Sequence, residues 1–167
     1  MGKPPWSFSS LKSFDQCPKK YYHLRVAKDY KEVESKAMLY GNEFHRAAEN
    51  YVSGVVEVLD PRFDFARGVL DRLKNMEGEK LCEHKMGLTT DLEPCGFFDD
   101  NVWFRGVSDL TIINEETNVA KVIDYKTGKS VKYADKGQLE LMALATFKHF
   151  PSIKTVKGGL LFVVCNA

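Results

Sequence analysis

VWFRGVSDLTIINEETNVAKVIDYK, residues 102–126, reads as two strands joined by a polar turn. Val102 to Ile113 alternates and is rich in β-formers; Asn114-Glu115-Glu116-Thr117-Asn118 turns the chain, and Val119 to Lys126 continues as a second strand. Residues two apart on a strand share a face, so Asp124 and Lys126 leave on one side and Ile123 and Tyr125 on the other. A bare D-x-K pair is more often a weak ion pair on a solvated edge. Asp109 changes the odds, because a carboxylate among Leu110, Ile112 and Ile113 is unusual for a strand. If the turn centre falls near residues 116–117, Asp109 and Asp124 lie about equally far from it, and the paired strands bring them side by side. Like charges that close disfavour each other's ionised form unless a cation lies between them. A hard divalent ion such as Mg2+, which takes oxygen ligands, answers that need.

Upstream, Lys80 to Thr89 alternates as another strand, so the three form an expected antiparallel meander. Glu83 is expected to face the same side as Leu81 and Lys85; it offers a third carboxylate, with a solvated strand glutamate an equally good reading. Further upstream the period becomes helical. Positions 37, 41, 44, 48 and 51 mark one face of a helix from Lys36 to Val52. His45 borders that stripe, and Gly41 one turn earlier leaves room above it; a lone helical histidine is more often structural. Asp60-Pro61 starts a second helix carrying Phe65, Val69 and Leu73 and ending near Gly78. Serines 7, 9 and 10 cap a short amphipathic segment, and Pro18 opens another with Tyr21, Tyr22 and Leu24 apolar.

Downstream, Ala134 to Phe150 is helical and Pro151 ends it. Gln138 opens that helix on its sheet-facing side and needs a polar partner, which the end of the preceding strand offers. Val156 to Val164 is nearly continuous apolar sequence, expected to be a strand buried on both faces. The fold class is therefore mixed α/β (α+β) with a central sheet flanked by helices. The expected organisation is a single domain over residues 1–167, with N-terminal helices over 9–76 and a core over 80–164.

The chemistry such a carboxylate–lysine site supports is phosphodiester hydrolysis. A bound metal lowers the pKa of a water and neutralises transition-state charge, while Lys126 orients the water or stabilises the developing negative charge. No Ser/His/Asp arrangement, G-x-G-x-x-G or Walker loop competes. With 44% hydrophobic and 28% charged residues the 167-residue chain can bury a core, and its net charge of +1 neither supports nor opposes a nucleic-acid partner. No apolar run approaches the roughly 18 residues needed to span a bilayer. The N-terminus MGKPPWSFSS lacks the apolar stretch of a signal peptide, so a cytoplasmic protein without a membrane partner is expected. Cys17, Cys82, Cys95 and Cys165 form no C-x-x-C pair, which disfavours a closed zinc site.

Five motifs in order resemble the PD-(D/E)XK nuclease superfamily, in its RecB-like branch. They are Ser7-Phe8-Ser9-Ser10-Leu11 with Gln16-Cys17-Pro18-Lys19-Lys20-Tyr21-Tyr22, Gly41-Asn42-Glu43-Phe44-His45, Gly106-Val107-Ser108-Asp109, Asp124-Tyr125-Lys126-Thr127-Gly128 and Gln138-Leu139. The likeness is greatest to phage-encoded exonucleases. It implies a restriction-endonuclease-like α-β-β-β-α-β core and a Mg2+- or Mn2+-dependent deoxyribonuclease. It assigns the metal to His45, Asp109, Asp124 and the Tyr125 carbonyl, catalysis to Asp109, Asp124 and Lys126, and an acidic place in the first strand to Glu83. Gln138 would support the site. The implied activity is an exonuclease in phage recombination, repair or DNA processing, located in the host cytoplasm if phage-encoded. DNA is the expected partner, with a single-strand annealing or binding protein and homo-oligomerisation as further candidates. The alternative is a non-catalytic DNA-binding or complex-forming module on the same fold. Two features depart from the family pattern. Met142 stands where a tyrosine is frequent, and only Cys165 follows the last strand where some relatives place three cluster cysteines, so an iron–sulfur cluster is not expected.

Overall fold

The computed structural model describes residues 4–128 and 135–164. Helices α1 (Phe8–Gln16), α2 (Pro18–Tyr21), α3 (Lys36–Val52) and α4 (Arg67–Lys74) precede β1 (Glu79–Leu88), β2 (Pro94–Cys95), β3 (Phe104–Asn114) and β4 (Val119–Lys126), and α5 (Gly137–His149) leads into β5 (Thr155–Phe162). The sheet order is β2-β1-β3-β4-β5. β1, β3 and β4 pair antiparallel, as the meander reading expected, and β5 joins β4 in parallel after the α5 crossover. The result is a mixed five-stranded sheet flanked by helices, consistent with the restriction-endonuclease-like core.

The helices begin where the sequence places caps. Ser7 and Ser10 form a reciprocal capping box on α1, Cys17 Sγ caps α2, and Ser35 accepts the Met38 N–H at the start of α3. α3 buries Phe44, Ala48, Tyr51 and Val52. After Asp60-Pro61 the chain first makes a 3-10 turn over Pro61–Ala66, with Phe63 off helical geometry. That turn rephases the stripe: Phe63, Ala66, Leu70 and Leu73 are buried, whereas the expected Phe65 is exposed.

α3 and α4 cover one face of the sheet over Leu110, Ile112 and Tyr125. α5 covers the other, where Met142 and Ala145 pack on Met86, Leu88, Phe104 and Val122. Trp6 makes a backbone bridge to Phe104 and stacks on Tyr21, which ties α1 and α2 to the sheet. β5 differs from its sequence reading: it is the sheet's edge, with Lys157 and Gly158 exposed, and only its end at Phe162 is buried. No helix among the described residues is long and apolar enough to cross a membrane.

Phe44 is fully buried and meets Phe63 and Tyr125 edge-on at 5.3 and 5.8 Å. Phe44→Ala is expected to cost about 3–5 kcal/mol, through lost burial and a residual cavity. The cap deletion Ser35→Ala is expected to cost about 1 kcal/mol. Urea unfolding of both variants checks the contrast; a cost for Phe44→Ala no larger than for Ser35→Ala would contradict this account of the core.

Candidate metal centre and lysine site

β1 and β3 pair regularly on both sides of one position. Cys82 faces Leu110 and His84 faces Ser108, but Glu83 and Asp109, which lie between, form no ladder pair. Glu83 has φ +46, the left-handed region that non-glycine residues adopt at a cost of roughly 1–2 kcal/mol. Alternation lapses here. Leu81 packs on the α5 side with Ile113 and Ile153, Cys82 on the α3–α4 side, and Met86 and Leu88 again on the α5 side. On β3 the Ser108 and Thr111 hydroxyls, both buried, hydrogen-bond at 2.7 Å. Side chains three apart face opposite ways on a regular strand, so this contact requires Asp109 and Leu110 to share the α3 side. Glu83 consequently does not share a face with Leu81, which corrects the alternation reading.

The lapse brings three side chains from three elements together. The ligand atoms of His45, Glu83 and Asp109 all lie within 4.8 Å of one another. His45 comes from α3, whose Gly41 passes close to the end of β4: a Cβ there would lie 3.3 Å from Thr127 Oγ1. His45 Nδ1 is 3.2 Å from Asp109 Oδ1. Two ligands of one Mg2+ lie at most about 4.2 Å apart, twice the metal–oxygen distance. A small inward movement of the side chains therefore closes the set, and two carboxylates with one imidazole suit Mg2+ or Mn2+.

Asp124 occupies a second station. The β3–β4 ladder ends at Leu110↔Ile123, so the next positions, Asp109 and Asp124, stand opposite each other where the strands part. In place of a ladder bond, the Tyr125 N–H donates to Asp109 Oδ2 at 2.5 Å. Asp124 and Lys126 both project to the α5 side, while Ile123 and Tyr125 enter the α3-side core. Gln138 Nε2 donates to Asp124 Oδ1 at 2.5 Å, and Lys126 Nζ donates to Gln138 Oε1 at 3.1 Å. Lys126 Nζ also lies 2.6 Å from Asp124 Oδ2, which closes a triangle. Gln138 thus meets the end of the preceding strand. The expected metal set His45–Asp109–Asp124 is divided: Glu83 stands with His45 and Asp109, and the Asp124 carboxylate is held by Lys126 and Gln138.

The electrostatics of the two stations agree. Burial, then the Asp109 charge, raises the Glu83 pKa. Burial and Asp109 also raise that of Asp124, against the opposing pull of Lys126. For His45, burial opposes the charged ring, but the Asp109 hydrogen bond and the charges of Asp109, Asp124 and Glu83 outweigh it, so its pKa stands above the ordinary 6.5. All three groups hold protons more tightly than in water, and a cation among them would reverse each shift. The Tyr125 ring lies 5.9 Å from His45, and its buried hydroxyl has no hydrogen-bond partner among the described residues. Beyond Lys126 and Gln138 a groove of about 400 Å³ opens over α1 and α2, lined by Arg25 and by the ion-paired Lys12–Asp135 and Lys20–Glu32.

Reasoning from alternation could not find the Ser108–Thr111 clamp. The one sequence signal, a hydroxyl on each side of Asp109-Leu110, is too common to carry it. Cys17, Cys82 and Cys95 are free thiols, and Cys165 lies outside the described residues.

A family model for the PD-(D/E)XK nuclease superfamily matches residues 5–83. That segment spans α1 to α4 and β1 as far as Glu83; Asp109, Asp124 and Lys126 lie beyond it. No curated protein and no solved structure matches the chain.

Protons and metal compete for His45, which must be neutral at its coordinating nitrogen. Its folded pKa is raised, so without metal its contribution to stability is present below 6.5 and is lost as pH rises through the folded value. Metal affinity runs the other way and is expected to strengthen with pH through 6.5 and above. Mn2+ titration calorimetry between about pH 6 and 8 checks this, with His45→Ala expected to flatten the profile. Glu83→Ala is expected to weaken Mn2+ binding as much as Asp109→Ala. Undiminished affinity in Glu83→Ala would remove it from the set.

Proposed function

We propose that this chain is a metal-dependent DNA nuclease. The observation that carries the reading is the cation-suited trio His45, Glu83 and Asp109 beside the closed Asp124–Lys126–Gln138 triangle at the parting ends of β3 and β4. The family match over residues 5–83 supports it, as does the groove that leaves Lys126, in which Arg25 stands beside the ion pairs Lys12–Asp135 and Lys20–Glu32.

His45, Glu83 and Asp109 would hold a Mg2+ or Mn2+ ion, with Asp124 and the Tyr125 carbonyl as the further ligands the motif resemblance implies. Bound there, the ion supplies Lewis acidity at a phosphate oxygen and acidifies a water. Lys126 stands at the mouth of the groove, where it would orient the attacking water and stabilise negative charge developing on the phosphate. Gln138 holds the amine and the Asp124 carboxylate in fixed relation, because it donates to one and accepts from the other. Asp109 is doubly restrained by His45 and the Tyr125 N–H, so its carboxylate keeps its direction as ligands arrive.

Within this class we read the chain as an exonuclease of phage recombination, repair or DNA processing, acting in the cytoplasm; the five ordered motifs are the support. A single-strand annealing or binding protein is a fitting partner, and self-association a fitting route to processive action. A module freed from catalysis would gain nothing from a carboxylate–lysine pair held at a strand end, where the buried Asp124 costs desolvation.

Lys126→Ala is expected to lower cleavage by about 10²-fold or more while leaving DNA binding nearly unchanged, and to lower the melting temperature because the buried Asp124 carboxylate keeps only Gln138 among the described residues. Gel assays on linear and circular DNA with Mg2+, Mn2+ or EDTA test the reading. Near-normal turnover by the variant would end the lysine's assignment, and circular DNA cut as fast as linear would end the exonuclease reading.

A further inference from the structure

A second groove meets the first at Gln138, and its far wall has features the hydrolytic site does not use. It holds about 360 Å³, at the small end of ligand clefts, and is lined by Ser7, Ser9, Phe97, Arg105, Gln138 and Met142. Phe97 and Phe98, on the segment between β2 and β3, stand edge to face with ring centres 4.9 Å apart. Phe98 is 75% exposed, a large apolar surface to leave in water. Two cations flank the rings. The Arg105 guanidinium lies 4.8 Å from the Phe97 ring centre and 6.0 Å from that of Phe98, and Lys85 Nζ lies 6.0 and 5.8 Å from the same rings. Arg105 donates to the Phe97 carbonyl oxygen at 3.5 Å, which holds it beside the rings. Neither cation forms an ion pair among the described residues, although acidic Asp99 and Asp100 follow Phe98 in the chain. Asp99 is exposed and accepts the Gly96 N–H at 2.7 Å.

An exposed Phe98 ring beside the partly buried Phe97, two cations over the pair, and a groove lined by Phe97 and Arg105 that leads toward Lys126 match one ligand chemistry: a planar base joined to a phosphate. We propose that Phe97, Phe98, Lys85 and Arg105 form a platform that stacks an unpaired base of single-stranded DNA and holds its phosphate, so that a frayed or single-stranded end is guided along the groove toward Lys126. A base-paired nucleotide inside a duplex offers no free face to Phe98. The proposal rests on the nuclease reading for the direction of the strand, but its binding component is separable.

The test is fluorescence anisotropy with a labelled single strand of about 12 nucleotides and with a blunt hairpin duplex, in Ca2+, for wild type, Phe98→Ala and Phe98→Trp. Phe98→Ala is expected to weaken single-strand binding about tenfold, duplex binding by less than about threefold, and Phe98→Trp to restore the single-strand affinity. Because Phe98 is exposed, the alanine variant retains the fold. Unchanged single-strand affinity, equal losses on both DNAs, or no rescue by tryptophan would overturn the platform. If wild-type protein binds single strands through Phe98 yet cleaves no DNA with Mg2+ or Mn2+, the nuclease reading fails and the platform stands.

Discussion

A β-strand normally sends neighbouring side chains to opposite faces, and that rule is suspended at one level of this sheet. Glu83 and Asp109, opposite each other on β1 and β3, form no ladder pair, and Glu83 takes a left-handed backbone. Without the lapse, Asp109 would share a face with Ser108's partner Thr111 and lie away from α3. With it, Asp109 joins Leu110 on the α3 side and reaches His45 and Glu83. The Ser108–Thr111 hydrogen bond spans the irregularity on the opposite face. It satisfies two buried hydroxyls that would otherwise each cost about 1–3 kcal/mol. The irregularity is thus supported from behind, as expected where local strain serves a site.

The same level of the sheet separates two kinds of charge. On the α3 side, two carboxylates and an imidazole converge. On the α5 side, Asp124 already has Lys126 and Gln138. The stations communicate because β3 and β4 stop pairing at Leu110↔Ile123 and the Asp109 carboxylate takes over as acceptor for the Tyr125 N–H. That bond fixes Asp109 to the backbone of the residue between Asp124 and Lys126, so a shift of one station is felt by the other. A ligand set spread over α3, β1 and β3, joined to a lysine on β4 and a glutamine on α5, makes the whole sheet the scaffold of the site.

Much of this was legible from periodicity. The turn centred near residues 116–117 set Asp109 opposite Asp124, and the Leu110↔Ile123 register carries that relation through. The D-x-K alternation also held on β4, where nothing interrupts the pleat. It failed for Glu83 because a left-handed residue leaves no mark in a hydrophobic pattern, and a glutamate there gives none of the warning a glycine would. On the second helix Val69 and Leu73 pack as read, but the 3-10 turn after Pro61 put Phe63 rather than Phe65 into the core. In β5 an apolar run was read as burial on both faces, whereas the strand forms the sheet's edge. Met142, which stands where a tyrosine is frequent, packs against Gly106, where a Cβ would approach its sulfur to 2.5 Å. Pattern shows which residues are apolar, and the partner across the sheet decides what their size is for.

The costs of the site are concentrated and so is their support. Burial and the Asp109 charge hold Glu83 and Asp124 toward their protonated forms, His45 is held toward its charged form, and Glu83 carries backbone strain. Each of these favours a different local arrangement from the one observed. Against them stands one buried cluster: Phe44 beside His45, Leu110 beside Asp109 and Tyr125 beside Asp124. Each candidate ligand on α3, β3 and β4 is therefore the chain neighbour of a core side chain that cannot move without opening a cavity. Fixing a polar group through the adjacent apolar one lets the sheet hold unfavourable charges in place until an ion or a phosphate makes them favourable. It also explains why the ligands come from regular elements rather than loops: only a helix or strand shared with the core passes that rigidity to the next residue.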